Sequence, residues 1–346
     1  MSTGRVVVIG ASSGGTPPIE ALLQGLGADL PATVLIVRHI PPYADDRLPA
    51  AFSRGCPLPV ALAGDGAPLQ PGLVLVAPAD RHLLVDADRV RLSRGPRENR
   101  TRPAIDPLFR SAALSHGPRA IGVVLSGRLD DGTAGLLALK QSGGIAVVQD
   151  PDDARCPDMP ESALRHVAVD HCLPATEIGP LLTQLVRADG PPEEVVVPEE
   201  LTSLWRREID VLRRSSGDIA TAQMLGEVVP ASCPECGGPL WQLEDGIPRY
   251  RCHTGHAFTG RHLSEGLGEA AEQALWAALR ALEERARMLR RLAERDPSIK
   301  TPGLVHQAFR ERAEEADRHV AALRALLADV PAAGAGTGGV PDDLAR

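Results

Sequence analysis

Aromatic side chains are scarce in this sequence: Phe, Trp and Tyr together account for 3% of its 346 residues. The hydrophobic fraction of 43% is nevertheless that of a globular protein, so we expect a core built mainly from Ala, Val, Leu and Ile. The sequence also lacks an apolar run long enough for a membrane helix, and its first residues do not form a signal peptide. These absences predict a soluble protein that does not insert into a membrane.

A surplus of basic residues is also missing. The 37 Lys and Arg residues stand against 45 Asp and Glu residues, which gives a formal net charge of -8. Because nucleic-acid binding depends on Lys and Arg that neutralise phosphates, this balance argues against a nucleic-acid binder. Six cysteines do not make the disulfide framework of a secreted protein of this length, so we expect a reducing, cytoplasmic location.

Short β-branched runs alternate with helix-like stretches over residues 5–188. Because these runs are continuously apolar, they are typical of strands buried on both faces of a mostly parallel sheet. The helical stretches between them predict an open, doubly wound α/β fold. Residues 73–93 hold three short strand-like pieces separated by polar turns, which predict an antiparallel hairpin at an edge of the sheet. The predicted strands cover residues 6–9, 33–37, 73–76, 121–125 and 145–148.

Beyond the α/β domain the composition changes several times. Pro, Gly and acidic residues near residue 190 predict a linker, and a cysteine-rich segment and two Ala/Leu/Arg/Glu-rich helices follow it. We expect the apolar face of these helices, with Trp276 and Met288 on it, to serve packing, dimerisation or binding of a signalling partner. The predicted division is 1–188 for the α/β domain, 189–230 for a linker with a short helix, 231–262 for a zinc-ribbon-like module, 263–330 for a helical hairpin and 331–346 for a disordered tail.

A glycine-rich turn, Gly-Ala-Ser-Ser-Gly at residues 10–14, follows the first predicted strand. It matches the G-x-S-x-G turn that exposes a serine hydroxyl, here that of Ser12, above the strand ends. The start of the following helix would offer N–H groups to a developing oxyanion. The turn also resembles the dinucleotide-binding start of short-chain dehydrogenases, but neither Tyr43 nor Tyr250 has the Lys four positions later that those enzymes need. A purely structural Gly/Ser turn remains the alternative.

Two later strand ends supply the base and the carboxylate that a serine nucleophile needs. His39 follows the second predicted strand, and Asp130 and Asp131 follow the strand at residues 121–125. Active sites of open α/β sheets collect at the carboxyl ends of the strands, so we expect Ser12, His39 and Asp131 to meet there. Taken singly, His39 is equally typical of a loop and Asp131 of a helix cap.

Six motifs in a fixed order extend this hypothesis: IGASSGG, RHIPP, VAPADRHL, RPAIDPLF, LSGRLDDGTAG and DMPESAL. Over residues 5–188 their order resembles that of the catalytic domain of CheB-type chemotaxis-receptor protein-glutamate methylesterases. The resemblance implies a serine hydrolase that removes methyl esters from receptor glutamates and can also deamidate glutamines. It implies Ser12 as nucleophile, His39 as general base, Asp131 as orienting carboxylate, no cofactor for catalysis, and methylated receptor helices as substrate. Arg102 and the loop at 99–106 would then line the substrate groove, or form an exposed loop.

The resemblance departs from the family pattern in two places. Family members usually carry an N-terminal phospho-acceptor receiver domain, whereas this sequence starts at the first catalytic strand, so we expect that control to be absent. The family's usual Gly-Met-Gly reads Gly127-Arg128-Leu129 here. This second departure motivates an alternative function, a catalytically reduced signalling scaffold that binds partners through its zinc module and helices. An esterase acting on another protein is a further alternative.

A cysteine and histidine pattern in the 231–262 segment predicts a metal site. Cys233 and Cys236 form a Cys-x2-Cys pair, and after fifteen intervening residues Cys252 and His256 form a Cys-x3-His pair. This is zinc-ribbon spacing, and with four protein ligands the Zn²⁺ would be structural rather than catalytic. His256 is preferred to His253, which adjoins Cys252. Reduced free cysteines in a small β-module are the alternative.

Overall fold

The computed structural model describes residues 4–44, 47–188, 195–214, 217–243, 246–295 and 302–329. The chain forms two compact units, Met1–Leu263 and Ser264–Arg346. No helix among the described residues is both long and apolar enough to cross a membrane. The predicted division into five segments stays a prediction, and its tail at 331–346 lies outside the described residues.

Seven strands form the main sheet of the first unit. They are β1 (Arg5–Ala11), β2 (Ala32–Arg38), β3 (Val60–Leu62), β4 (Val74–Val76), β7 (Ala120–Val124), β8 (Ile145–Gln149) and β9 (His171–Leu173). Their order is β3-β4-β2-β1-β7-β8-β9, and every neighbouring pair is parallel. The predicted parallel sheet is confirmed. The strands that the sequence did not predict, β3 and β9, have three residues each, too few to form a recognisable apolar run.

Helices cover both faces of this sheet. Val6 and Val8 of β1 belong to one core, and Val7 and Ile9 belong to the other. Full burial of such a side chain stabilises the fold by about 1.5–3 kcal/mol, which explains why the run is apolar at every position. One face carries α1 (Thr16–Gln24), α2 (Leu48–Phe52) and α6 (Ala175–Arg187), and the other carries α3 (Ile105–His116), followed by a 3-10 turn (Gly117–Arg119), α4 (Thr133–Gln141) and α5 (Asp158–His166).

The predicted hairpin is confirmed as β5 (His82–Asp86) and β6 (Arg89–Ser93), which pair antiparallel. These two strands form a sheet of their own, and they pack into the core that α3 also enters. The first of the three predicted pieces instead joins the parallel sheet as β4.

A second, smaller sheet follows α7 (Glu199–Arg214) and α8 (Ile219–Gln223) in the first unit. Its order is sequential and its neighbouring strands are antiparallel. Its core is small, centred on Leu240 and Phe258 beside two of the cysteines. We call this sheet, residues 226–259, the ribbon. Its strands are β10 (Gly226–Ser232), β11 (Pro239–Leu243), β12 (Arg249–Cys252) and β13 (Ala257–Thr259).

Two long helices, α9 (Gly260–Arg295) and α10 (Pro302–Asp329), make up the described part of the second unit from residue 264 onward. Glu283 pairs with Arg324 at 2.6 Å, and Arg290 pairs with Asp317. Arg290, the later of the two in α9, thus pairs with Asp317, the earlier of the two in α10. The helices therefore run antiparallel, in agreement with the predicted hairpin.

The predicted placement of Trp276 and Met288 on the apolar face of α9 is wrong. Their side chains are 53% and 56% exposed. Leu279, Ala286 and Ala293 are buried instead, and their seven-residue spacing is typical of a narrow seam between two helices. Neither Trp276 nor Met288 falls on that spacing, and Met288, two residues after Ala286, lies on the opposite side of the helix.

Candidate active site

Ser12 lies in the turn that follows β1. Its N–H donates to the carbonyl oxygen of Ser126 at 3.0 Å, and its own carbonyl accepts from the N–H of Gly15 at 3.0 Å. Gly14 has a φ of 72°, and a Cβ there would lie 2.9 Å from the Ser126 hydroxyl, so this position requires glycine. The turn therefore fixes Ser12 above the end of β1, ahead of α1.

His39 comes directly after β2 and continues its pairing with β1, because its N–H donates to the carbonyl oxygen of Ala11 at 3.1 Å. The ring Nδ1 lies 3.0 Å from Ser12 Oγ, and Nε2 lies 2.7 Å from Asp131 Oδ2. An ionised carboxylate can only accept, so the ring proton belongs on Nε2 and Nδ1 accepts from the serine hydroxyl. The structure thus brings the three predicted side chains into one hydrogen-bonded line, an arrangement that fits a nucleophile, a base and an orienting carboxylate.

Asp131 is completely buried and surrounded by donors. Burial alone would raise the pKa of its carboxyl group, but the hydrogen bond and charge of His39 bring that pKa well below its usual value. The carboxylate therefore stays ionised at neutral pH, as an orienting group requires. The other donors to it are the N–H groups of Ile105 at 2.7 Å, Asp106 at 3.2 Å and Gly132 at 3.0 Å, and the side-chain amide of Asn99 at 2.8 Å.

The two residues most easily confused with the triad have different surroundings. Ser13 is exposed, whereas Ser12 is half-buried beside His39. The carboxylate of Asp130 accepts from the hydroxyl of Thr259 at 2.7 Å and lies 2.8 Å from His262 Nδ1. Asp130 thus faces the ribbon side of the unit, while Asp131 faces the base.

Two residues of the 99–106 loop make contacts with the site that the sequence pattern did not predict. Asn99 donates its amide to Asp131, and the hydroxyl of Thr101 lies 3.4 Å from His39 Nε2. Asn99 and Arg100 both have a left-handed backbone, with φ of 50° and 64°. Asn is the residue that tolerates this conformation best after Gly, and that preference is the one local signal for this loop.

Asp106 is a second buried carboxyl group beside Asp131. Its own burial and the charge of Asp131 raise the pKa of Asp106 well above its usual value. Two like charges so close together in a buried site cannot both form cheaply. A charge on Asp131, the carboxylate that contacts His39, is therefore favoured over a charge on Asp106.

An open depression of about 320 Å³ lies over Ser12 and His39. Thr101 belongs to its lining, as the prediction for the 99–106 loop requires. Arg102, the residue singled out in that loop, instead bonds Asp80 at 2.6 Å and 2.8 Å and the carbonyl oxygen of Gly95 at 2.7 Å. The remaining lining residues are Ser13, Arg38, Ile40 and Pro41.

The Gly127-Arg128-Leu129 segment keeps the backbone that the turn needs. A Cβ at Gly127 would lie 1.9 Å from Met159 Sδ and 2.9 Å from Ser12 Cβ, so glycine is required there. Arg128 is exposed. Leu129 is half-buried with a φ of 64°, a left-handed conformation that glycine would adopt without strain. The segment thus preserves the turn beside the nucleophile.

The four predicted metal ligands converge in the ribbon. One ligand atom each of Cys233, Cys236, Cys252 and His256 lies within 4.8 Å of the others. The Cys236 and Cys252 sulfurs are 3.6 Å apart, and His256 Nδ1 is 3.6 Å from Cys252 Sγ. Zn–S bonds of about 2.3 Å in a tetrahedron place sulfurs about 3.7 Å apart, so the donor set fits Zn²⁺. Glu235 Oε2 lies 3.4 Å from His256 Nε2, where it can orient the ring.

Comparisons with known proteins agree with this site. The model of the family described as CheB methylesterase matches residues 7–182. A protein-glutamate methylesterase/protein-glutamine glutaminase of Anaeromyxobacter dehalogenans is 41% identical over 54% of this chain and 52% of its own length. One of Nocardioides sp. is 38% identical over 53% of this chain and 51% of its own length. The chain thus spans about half the length of the curated relatives it matches.

The catalytic domain of the Thermotoga maritima CheB methylesterase shares the fold. Its crystal structure matches with a TM-score of 0.51 and 32% identity, and the match covers 53% of this chain and 100% of that domain. The matched region of the family model contains Ser12, His39 and Asp131 and ends before the ribbon. The chain belongs to the CheB methylesterase family.

Proposed function

We propose that this chain is a serine hydrolase that removes methyl esters from glutamate side chains of chemotaxis-type receptors and also deamidates glutamine. The observation that carries this proposal is the line from Ser12 Oγ through His39 to the buried Asp131, at 3.0 Å and 2.7 Å. Family membership and the printed names of the relatives support the choice of substrate and reaction. The open depression over Ser12 suits a side chain presented on the surface of a protein helix.

The proposed reaction has two halves, acylation of Ser12 and hydrolysis of the acyl-enzyme, and the same three residues act in both. Ser12 Oγ attacks the ester carbonyl while His39 Nδ1 takes the hydroxyl proton. The same proton then goes to the departing methoxide, which leaves as methanol, and an acyl-enzyme remains. Water gives a proton to Nδ1 and attacks the acyl carbon, and the bond from that carbon to Ser12 Oγ then breaks as Oγ takes the proton back from Nδ1. The released glutamic acid loses its own proton to solvent and becomes the carboxylate. With glutamine as substrate, ammonia leaves in place of methanol. Asp131 stabilises the imidazolium in both halves.

The ribbon cluster is proposed as a structural Zn²⁺ site. Its four protein ligands leave no open coordination position, and its distance pattern fits a tetrahedral ion. The metal would hold together a sheet whose core is too small to be stable alone. Thiolate ligands persist in a reducing compartment, which supports a cytoplasmic location for the protein.

The experiment that tests the hydrolase proposal is labelling of the full chain with a fluorophosphonate, which reacts only with an activated serine hydroxyl. We expect labelling of the wild type, none of Ser12→Ala, and full labelling of Ser53→Ala, whose exposed hydroxyl bonds the carbonyl oxygen of Pro49. Methanol release from methylated receptor should follow the same order. Labelling that survives Ser12→Ala would show that the triad is assigned wrongly.

A second candidate function is a signalling scaffold with reduced catalysis, which Arg128 and Leu129 favour because both depart from the family pattern. A folded wild-type protein that does not label, yet binds a partner stably, would favour this function. Methanol release from some other methylated protein, with none from receptors, would favour an esterase with a different substrate.

A further inference from the structure

Residues 97–99, which lead into the loop beside Asp131, pair with the edge strand β13 of the ribbon. The N–H of Ala257 in β13 donates to the carbonyl oxygen of Arg97 at 3.1 Å, and the N–H of Asn99 donates back to Ala257 at 2.8 Å. Glu98 and Ala257 form a parallel bridge between these bonds. Residues 97–99 therefore extend the ribbon's sheet by one short strand-like segment, and the ribbon is not an independent module on a linker.

The side chain of Asn99 carries this contact to the triad. Its carbonyl oxygen accepts from the N–H of Thr259 at 2.9 Å. Its amide nitrogen donates to Asp131 Oδ1 at 2.8 Å and to Asp106 Oδ2 at 3.1 Å. Because the ribbon N–H occupies the oxygen end, the nitrogen end must face the two carboxyl groups. The backbone of β13 thus fixes which way the amide points, and with it one of the donors that orient Asp131.

A second contact reaches the residue before the triad carboxylate. The hydroxyl of Thr259 donates to Asp130 Oδ1 at 2.7 Å, and His262 Nδ1 lies 2.8 Å from the same oxygen. Thr259 and His262 follow the metal ligands in the chain, and both are buried. The ribbon therefore holds Asp130 directly and Asp131 through Asn99.

A buried charge cluster locks the two parts together. Glu98 and Arg110 of the α/β domain contact each other at 3.0 Å, and Arg251 of β12 reaches Glu98 at 2.6 Å. Burial would raise the pKa of Glu98, but the charges of these two arginines lower it to about 2, so it stays ionised. Arg251 also contacts Glu208 of α7 at 2.7 Å, and Arg249 contacts Glu208 at 2.8 Å. Separating the ribbon would leave buried charges without these partners, which is strongly unfavourable.

The backbone of the loop shows why such support is needed. Asn99 and Arg100 are consecutive non-glycine residues in the left-handed region. Both conformations are unfavourable for a residue with a Cβ, so the pair persists only where neighbouring structure over-determines it. The contacts to Ala257 and Thr259 provide that structure.

We propose that the ribbon is an integral part of the active site, in which Asn99, oriented by Thr259, is a positioning residue for Asp131. This inference rests on the proposed function, since it assigns a role within the proposed triad. It also gives the metal site a purpose, because Cys252 and His256 flank the turn that leads into β13. Holding those ligands in place would hold β13 against residues 97–99.

The test compares full-length variants in fluorophosphonate labelling, with the maximal rate of labelling and the half-saturating probe concentration measured separately. Asn99→Gly keeps the left-handed backbone and deletes the amide, whereas Thr259→Val deletes the hydroxyl that bonds Asp130 and keeps the N–H that orients Asn99. We expect Asn99→Gly to lower the maximal rate by about tenfold or more, with the half-saturating concentration unchanged, because the base is misaligned while the cavity is intact. Thr259→Val should lower the maximal rate less, because Asn99 still holds Asp131. Thr259→Ser should restore the rate. Thr202→Val, whose hydroxyl bonds its own helix, is the matched control.

A proton NMR signal gives a readout that does not depend on labelling. The Nε2 proton of His39, shared with Asp131, should resonate far downfield in the wild type and shift or broaden in Asn99→Gly, with Thr202→Val unchanged. Labelling rates within twofold of wild type in Asn99→Gly, with this signal unmoved, would overturn the inference. A wild type that does not label contradicts the proposed function instead, and the NMR comparison then decides the positioning role alone.

Discussion

The buried charge cluster allows a quantitative prediction about stability. Glu208 contacts all three of its arginines, Arg110 at 3.2 Å, Arg249 at 2.8 Å and Arg251 at 2.7 Å. Arg251 contacts the two acids, Glu208 and Glu98, but each of these also contacts another arginine. Loss of Glu208 therefore takes a carboxylate away from three buried arginines, whereas loss of Arg251 leaves each acid with another arginine.

From these contacts we expect Glu208→Gln to lower the free energy of unfolding of the first unit by about 3–5 kcal/mol, because three buried guanidinium groups lose the carboxylate that contacts all of them. Arg251→Met should lower the same free energy by about 1–3 kcal/mol, since an arginine remains beside each acid.

Urea unfolding followed by tryptophan fluorescence measures both values, since the buried Trp205 and Trp241 report on the first unit. Glu199→Gln is the control: it removes an exposed ion pair with Arg206 and should change the free energy of unfolding by less than about 1 kcal/mol. If Arg251→Met were the more damaging of the two cluster variants, or if both stayed near the control, the charge argument would be refuted.

Four further substitutions test the site. Asp131→Asn should lower the rate of serine labelling by about 10⁴-fold, because the base loses its carboxylate and its tautomer. Asp106→Asn should lower the labelling rate by a factor at least about tenfold smaller than Asp131→Asn does, because the raised pKa of Asp106 disfavours a charge there. Equal losses of rate in stopped-flow labelling would refute the assignment of the charge to Asp131. Gly127→Ala should abolish labelling in a folded protein, since its Cβ would lie 1.9 Å from Met159 Sδ; a rate near wild type would contradict the close contact. Cys252→Ser should lower bound zinc, measured by elemental analysis, from about one ion per chain and lower the melting temperature of the first unit; an unchanged melting temperature would remove the structural role of the metal.

The triad could be predicted because of where each member stands along the chain. Ser12, His39 and Asp131 follow apolar runs that became β1, β2 and β7, and these three strands are neighbours in the sheet. Carboxyl ends of neighbouring parallel strands lie side by side, so sequence position alone brought the residues together. The metal ligands were predictable for a similar reason, because their spacing is a local property of two turns.

The supporting residues could not be predicted in this way. Asn99 meets Thr259 across 160 positions, and Thr259 meets Asp130 across 129. Neither contact leaves a period or a spacing in the sequence, since a single amide and a single hydroxyl are compatible with any loop. The error on Trp276 and Met288 has a different cause: an apolar count does not distinguish a broad helical stripe from a seven-residue seam.

The two carboxyl groups at the site explain why an extension distant in sequence matters for chemistry. Asp131 and Asp106 lie in one buried space, where the pKa of the first is lowered and that of the second is raised. Asp131 receives the ring of His39, three backbone N–H groups and the amide of Asn99. Asp106 receives fewer donors, the N–H groups of Gly132 and Gly135 and the same amide at the longer distance of 3.1 Å. The amide of Asn99 can rotate by 180° and exchange its nitrogen and oxygen, and in the proposed arrangement the N–H of Thr259 prevents that rotation. Rotation of this one amide would present an oxygen to both carboxyl groups and weaken the preference for a charge beside the base, so the ribbon acts on catalysis by fixing the direction of a single dipole.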